Sequence, residues 1–343
     1  MNGASSRFRG WRNAAIALAF FVGACVLLHA LLPPVIPKGI AAKLRYFSEH
    51  KDEFDTVIVG TSRLYYSASP EIFDATTREN GLTTHTFNFG VDGMHPPENF
   101  YVLEQILKTK PRNLKWVVLE LGDIQTKWDN IFGTQRAVYW HDWPRTQLTL
   151  SKALNPRGTA NWLIKITRLW LARRDFILNL GLFGKQFANA GRIADLLPEA
   201  ERERYADAAS ELGPRGDGYR MAGDAMSAER AIDFKKRLAE EISGATMKYL
   251  DPATETGYRN AAAEIRHAGA TPVLVVTPII SQTGSRFRQN PPPAPIIAFN
   301  DARKYPQFYD VKVRIDDGHM TRPAAEDFCR ALALEFVHRV RQP

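Results

Sequence analysis

The chain opens on an unbroken apolar stretch. From Ala14 to Leu32 nineteen residues pass without a formal charge, and His29 is the sole side chain among them that titrates near neutral pH. A helix of that length spans roughly 28 Å, close to the hydrocarbon thickness of a bilayer. The pattern predicts a membrane-spanning segment. Arg7, Arg9 and Arg12 precede it, which by the positive-inside bias puts the N-terminus in the cytoplasm and the rest of the chain outside. Pro33, Pro34 and Pro37 then end the helix. The expected layout is a cytoplasmic tail at 1–13, a retained signal-anchor at 14–36, a linker with an approach helix at 37–54, and one domain from 55 to 343. A cleaved leader would show a small-x-small site before a polar stretch, which is missing here. Val22-Gly23-Ala24-Cys25 has the form of a lipoprotein cleavage box, but Val26-Leu27-Leu28 continues the apolar run beyond the cysteine.

After the linker the pattern changes period. Ile40–His50 reads as a helix. Thr56–Gly60, Thr84–Phe89 and Trp116–Leu121 are short β-branched or aromatic runs, as buried parallel strands are. Between them Pro70–Glu79 and Pro97–Lys108 carry helical spacing, with Phe100, Leu103, Ile106 and Leu107 on one face. Near the C-terminus the alternation resumes with a helix at Thr256–Ala268, a strand at Pro272–Thr277, another at Phe308–Ile315, and a closing helix at Ala324–Arg341. Strands separated by helices imply a parallel sheet in a three-layer α/β/α sandwich. Between Asp123 and about Leu250 the alternation stops. That stretch, with Trp140, Trp143, Trp162 and Trp170, reads as a mostly helical insertion at 123–250, leaving the sheet at the carboxyl end of a strand, where ligands bind in open α/β folds.

Composition changes the picture little. Of 343 residues, 45% are hydrophobic and 24% charged, which fits a globular chain. The net charge of +8 is scattered rather than gathered into a stripe, so the chain lacks the footprint of a nucleic-acid binder. Cys25 and Cys329, the only cysteines, lie in the apolar segment and the last helix. That separation argues against a disulfide between them, and no Cys/His spacing suggests a metal.

Two short motifs carry candidate chemistry. Gly60-Thr61-Ser62-Arg63 falls where the first strand turns towards a helix, a place that lifts a serine hydroxyl above the sheet beside backbone N–H groups. Asp316-Asp317-Gly318-His319 precedes the last helix, so one loop supplies a base and an orienting carboxylate. Both loops belong at the carboxyl edge of one sheet. His95, beside Pro96, is a weaker candidate for substrate contact. Trp140-His141-Asp142-Trp143 offers either sugar-stacking faces or an aromatic anchor that fixes the insertion or rests on a membrane interface.

With these motifs the chain resembles the SGNH hydrolase superfamily, and in particular its bacterial surface-polymer acyltransferase and esterase branch. The resemblance covers about 250 residues. It implies Ser62 as nucleophile, Gly93 of Asn88-Phe89-Gly90-Val91-Asp92-Gly93 as an oxyanion-hole glycine with the Ser62 N–H, and Asp316 and His319 as the remaining triad. Asp317 is the alternative orienting carboxylate. One departure stands out: the third strand runs into Leu121-Gly122-Asp123-Ile124, without the family's asparagine donor, so an oxyanion would rest on Ser62 and Gly93 or draw on the insertion. The resemblance further implies a periplasmic domain anchored in a bacterial inner membrane, a polysaccharide acceptor, a multi-pass partner that delivers the acyl group, and no cofactor. The expected activity is O-acyl transfer, most simply of acetyl, to an exported polysaccharide. An esterase with the same triad, or a non-catalytic assembly or carbohydrate-binding component, are the alternatives.

Overall fold

The computed structural model describes residues 3–32, 36–126, 135–154, 162–188, 211–220, 226–243, 249–280 and 286–341. The linker prolines 33 and 34, and several stretches of the insertion, lie outside these residues. The first element, α1 (Gly3–Leu31), contains one candidate membrane-spanning segment, Arg9–Leu31, almost wholly exposed. The helix α2 (Lys38–His50) follows Pro37.

Five parallel strands form one sheet in the order β2-β1-β3-β4-β5: β1 (Thr56–Gly60), β2 (Thr86–Gly90), β3 (Trp116–Glu120), β4 (Thr271–Val276) and β5 (Ile296–Ala298). β1 lies between β2 and β3, pairing Val57 with Phe87 and with Val117. Strands alternate their side chains between faces, and here both faces are covered. Val57, Val59, Val117, Leu119, Leu274 and Val276 face a core shared with α5 (Glu98–Lys108) and α10 (Pro252–His267) through Phe100, Leu103, Tyr258 and Ile265. Ile58, Val118, Val273 and Val275 face the other core, built on α4 (Pro70–Glu79) and α11 (Arg322–Arg341) through Phe73, Phe328, Leu332 and Phe336. Burial on both sides is why the strands read as continuous β-branched runs rather than as alternating ones. A one-turn helix, α3 (Ser62–Tyr65), follows β1 directly.

The described part of the insertion is mostly helical, with α6 (Gln135–Val138), α7 (Trp143–Leu154), α8 (Trp162–Ala188) and α9 (Ala228–Ser243).

The expected strand at 308–315 does not form. The fifth strand is Ile296–Ala298, straight after the proline-rich loop, and 308–315 instead makes two 3-10 turns, Pro306–Phe308 and Val311–Val313. The Asp310 carboxylate accepts the Lys312 N–H at 2.9 Å and so caps the second turn. The apparent alternation is inverted as well. Arg314 is fully buried, donating to the Pro278 carbonyl at 2.8 Å and lying over the Tyr309 ring, while Val311 and Val313 are only half-buried. A three-residue edge strand preceded by prolines gives no period to detect.

Candidate active site

At the end of β1 a side chain on Gly60 would meet the Glu120 carboxylate at 2.6 Å, so the strand needs glycine there. The chain turns through Thr61, whose hydroxyl accepts the Arg63 N–H at 3.2 Å and caps α3. Ser62 thus occupies the first helical position at the carboxyl edge of the sheet, and among the described residues no acceptor takes its N–H. Leu64 and Tyr65, fully buried, anchor the turn from below.

The loop 316–319 meets it from the other end of the sequence. His319 Nε2 lies 2.7 Å from Ser62 Oγ, and its Nδ1 lies 2.8 and 2.9 Å from the two Asp316 oxygens. Asp316 Oδ1 also accepts the N–H groups of Gly318 and His319, at 2.8 and 2.9 Å. Partial burial alone would raise this carboxyl. The bonds from the His319 ring and the two N–H groups outweigh burial and hold it down at about 2. An ionised carboxylate at Nδ1 fixes the tautomer, leaving Nε2 to accept from the Ser62 hydroxyl. Tyr66 packs edge-on against the imidazole at 5.7 Å and donates its hydroxyl to Asp92 at 2.8 Å.

Of the two adjacent carboxylates, Asp317 turns the other way. It is ion-paired with Arg237 of α9, and the pair borders a cleft of about 670 Å³ lined also by Met226, Glu229, Arg230, Asp233 and Asp316.

The third strand supplies a residue that the motifs did not single out. Glu120, buried, accepts the Thr61 N–H at 2.6 Å and the Thr277 hydroxyl at 3.1 Å, and pairs with Arg63 Nε at 2.6 Å. It ties the ends of β1, β3 and β4 together beneath Ser62. The Arg63 stem runs on towards the 316–319 loop, within 3.7 Å of where a Gly318 side chain would begin. Only its position signalled Glu120: a lone acid in the apolar run WVVLEL. Beyond it, the Gly122 N–H goes to the Tyr258 hydroxyl at 2.7 Å and the Ile124 N–H to Thr254 at 3.1 Å. These two donors of the third loop are therefore committed elsewhere.

Gly93 lies in the loop after β2 with φ +63°, a left-handed conformation that favours glycine. Arg136 of the insertion stands beside it, donating to the Asp92 carbonyl and pairing with the buried Glu98 at 3.0 Å. Lys43, from α2, is fully buried under the same region. It donates to the carbonyls of Gly90 at 2.6 Å and Gly218 at 2.7 Å and sits 3.8 Å over the Tyr65 ring. Burial pushes its ammonium down to about 7, with Glu211, Asp217 and Asp92 pulling the other way. His95 is also pushed down, to about 4, by burial and by the Arg63 and Arg136 cations, and is neutral at pH 7.

The tryptophan cluster is not a pair of stacking platforms. Trp140 is fully buried in the core, its indole stacked on His141 at 3.7 Å, so it offers no face to a sugar. It belongs to the core cluster that also holds Phe100 and Tyr258. Trp143 is half exposed and packs on Phe183 of α8 at 5.3 Å.

Compared with known proteins, the chain matches no family model, and no curated protein matches it.

Proposed function

We propose that the chain is a serine-dependent O-acyltransferase, held by α1 in a bacterial inner membrane with the Ser62 domain on the periplasmic side. The observation that carries this reading is the unbroken relay from Ser62 Oγ through His319 to Asp316, at 2.7 and 2.8 Å. Such a relay matches the needs of acyl transfer. Ser62 Oγ attacks the acyl carbonyl while His319 Nε2 takes its proton, and Asp316 stabilises the imidazolium. The N–H groups of Ser62 and Gly93 receive the oxyanion, with Arg136 holding the Gly93 loop. The tetrahedral adduct then collapses, the donor oxygen leaving with the proton from His319, and an acyl-serine remains. His319 next removes the proton of an acceptor hydroxyl, whose oxygen attacks the acyl carbon; as this second adduct breaks its bond to Ser62 Oγ, His319 returns the proton to that oxygen.

The acceptor in this reading is a hydroxyl of an exported polysaccharide, the acyl group is acetyl, and the donor side is a multi-pass membrane partner. One observation favours water as acceptor instead, making the chain an esterase: the Asp316 side chain is 40% exposed, so the relay is partly open to solvent. Single-turnover kinetics separate the two. After acetylation with p-nitrophenyl acetate, the transferase should lose acetyl slowly in buffer and faster with an acceptor oligosaccharide, which becomes acetylated. Rapid release of free acetate that no sugar alters would favour the esterase. If no acetyl is taken up, and Ser62→Ala matches wild type in cells, a non-catalytic role replaces both.

A further inference from the structure

α8 is built the wrong way round for a helix facing water. Its inner face mixes buried polar groups with the buried Ala172 and Leu182, while its outer face is apolar. Asn179, fully buried, donates to the Thr126 carbonyl at 2.9 Å and bonds His141 at 3.1 Å, and Asp175 accepts from the Thr126 hydroxyl at 2.9 Å. The opposite face carries Leu169, Trp170, Arg173, Ile177, Leu180, Gly181 and Gly184, all exposed. At 100° per residue these seven fall within an arc of about 120°. Only Arg173 among them is charged. Leu169, Trp170 and Ile177 are each 60% exposed or more. A surface helix in water ordinarily presents polar and charged residues on its outer face.

The same helix packs directly against the apolar α1. Cys25 Sγ lies 3.9 Å from the Ala188 carbonyl, at the C-terminal end of α8. Cys25 is six residues short of Leu31, so the two meet roughly 9 Å inside the distal end of the anchor. From that point α8 runs back roughly 27 Å to Trp170. Trp143, half exposed on Phe183, flanks the same face. Lys185 and Arg174 stand along its edge, the latter paired with Asp175. Apolar side chains with a tryptophan and a few cations are the makeup of a helix that lies in an anionic lipid interface.

We infer that the outer face of α8 is embedded in the outer leaflet of the bilayer that α1 crosses, giving the domain a second, monotopic membrane contact. The occupant of this face is lipid. This rests on the reading of α1 as a membrane anchor. Arg173 reaches the headgroups from within the face, its stem lying among the apolar side chains. The contact bears on the site, because the inner face of α8 holds Thr126, in the loop that leaves β3. Docking would therefore hold the carboxyl edge of the sheet at a fixed height over the membrane.

The test uses the full chain, with Cys25 and Cys329 replaced by alanine, in vesicles of phosphatidylethanolamine and phosphatidylglycerol. A nitroxide is attached in turn to Leu18→Cys in α1, Ile177→Cys and Leu180→Cys in α8, and, as the reference, Ile232→Cys in α9, which is 74% exposed. Accessibility to oxygen and to a water-soluble nickel chelate is then compared. At 177 and 180 the oxygen-to-nickel ratio should be several-fold above that at 232 and approach that at 18. A lipid-like ratio at 18 with a water-like ratio at 177 and 180 overturns the inference and leaves the anchor intact. Protection from both probes at 177 and 180 means that protein covers the face, and also overturns it. A water-like ratio at 18 removes the anchor reading itself.

Discussion

His319 and His141 each have an aspartate close by in sequence, and the fold gives these two histidines opposite lives. His319 sits on a partly open loop, bonded at one nitrogen to a carboxylate and at the other to a serine hydroxyl. His141 is fully buried beside Trp140, its Nε2 on the Asn179 amide, while its neighbour Asp142 turns to Arg145 at 2.9 Å. Burial pushes His141 down to about 4, with the Asn179 bond opposing it, so it stays neutral and structural. Adjacency in sequence is common to both motifs. What differs is where the fold sends the second nitrogen: to a nucleophile at a sheet edge, or to an amide in a core. A histidine becomes a base through its partners and its access, not through a nearby acid in the sequence.

The widest separation between the two should appear on deleting the relay. Ser62→Ala and His319→Ala should each lower acylation by roughly 10³-fold or more, the double variant being no worse, because the groups act as a unit. Circular dichroism melts should leave both variants folded. Asp316→Asn should cost roughly 10²–10⁴-fold by upsetting the tautomer, read in the rate of p-nitrophenol release. His141→Leu should do the reverse. It should lower unfolding free energy by about 1–3 kcal/mol through the stranded Asn179 amide and leave the rate per folded molecule unchanged.

That histidine also sets a pH dependence. Its folded pKa of about 4 lies below the ordinary 6.5, so between these values the unfolded chain binds the extra proton. Stability from this group is full above 6.5 and is lost as the pH falls towards 4. Denaturant melts should show a shallower acid decline in His141→Leu than in wild type. The smallest effect belongs to Asp317→Asn, which removes the pair with Arg237 and should change the rate by less than about twofold, since a partly exposed pair is weak. If Asp317→Asn is the damaging change and Asp316→Asn the mild one, the orienting carboxylate has been misassigned.

Four of the five strands were legible because each is a short run of five or six residues buried on both faces, bordered by segments of a different period. The fifth was not. Ile296–Ala298 is too short to show any repeat, and the Val311/Val313 alternation imitates a strand although the buried residue is Arg314. At the site, Ser62, Asp316 and His319 could be named from two short motifs taken together with the resemblance to a known family, and the fold brings the three side chains within hydrogen-bonding distance. Glu120 could not be named, since a lone acid inside a strand carries no local sign that three strand ends and Arg63 will converge on it. Trp140 misled for a related reason. Aromatic density says that a large surface must be covered, and here the protein core covers it.

The central claim is that Ser62, driven by His319, is a nucleophile. Intact-protein mass spectrometry after brief exposure to p-nitrophenyl acetate, with peptide mapping of any adduct, tests it most directly. Wild type and His141→Leu should each gain one acetyl group on Ser62, Ser62→Ala should gain none there, and His319→Ala should acquire it roughly 10³-fold more slowly. An adduct on another residue that persists in Ser62→Ala, or equal acylation rates in wild type and His319→Ala, would contradict it.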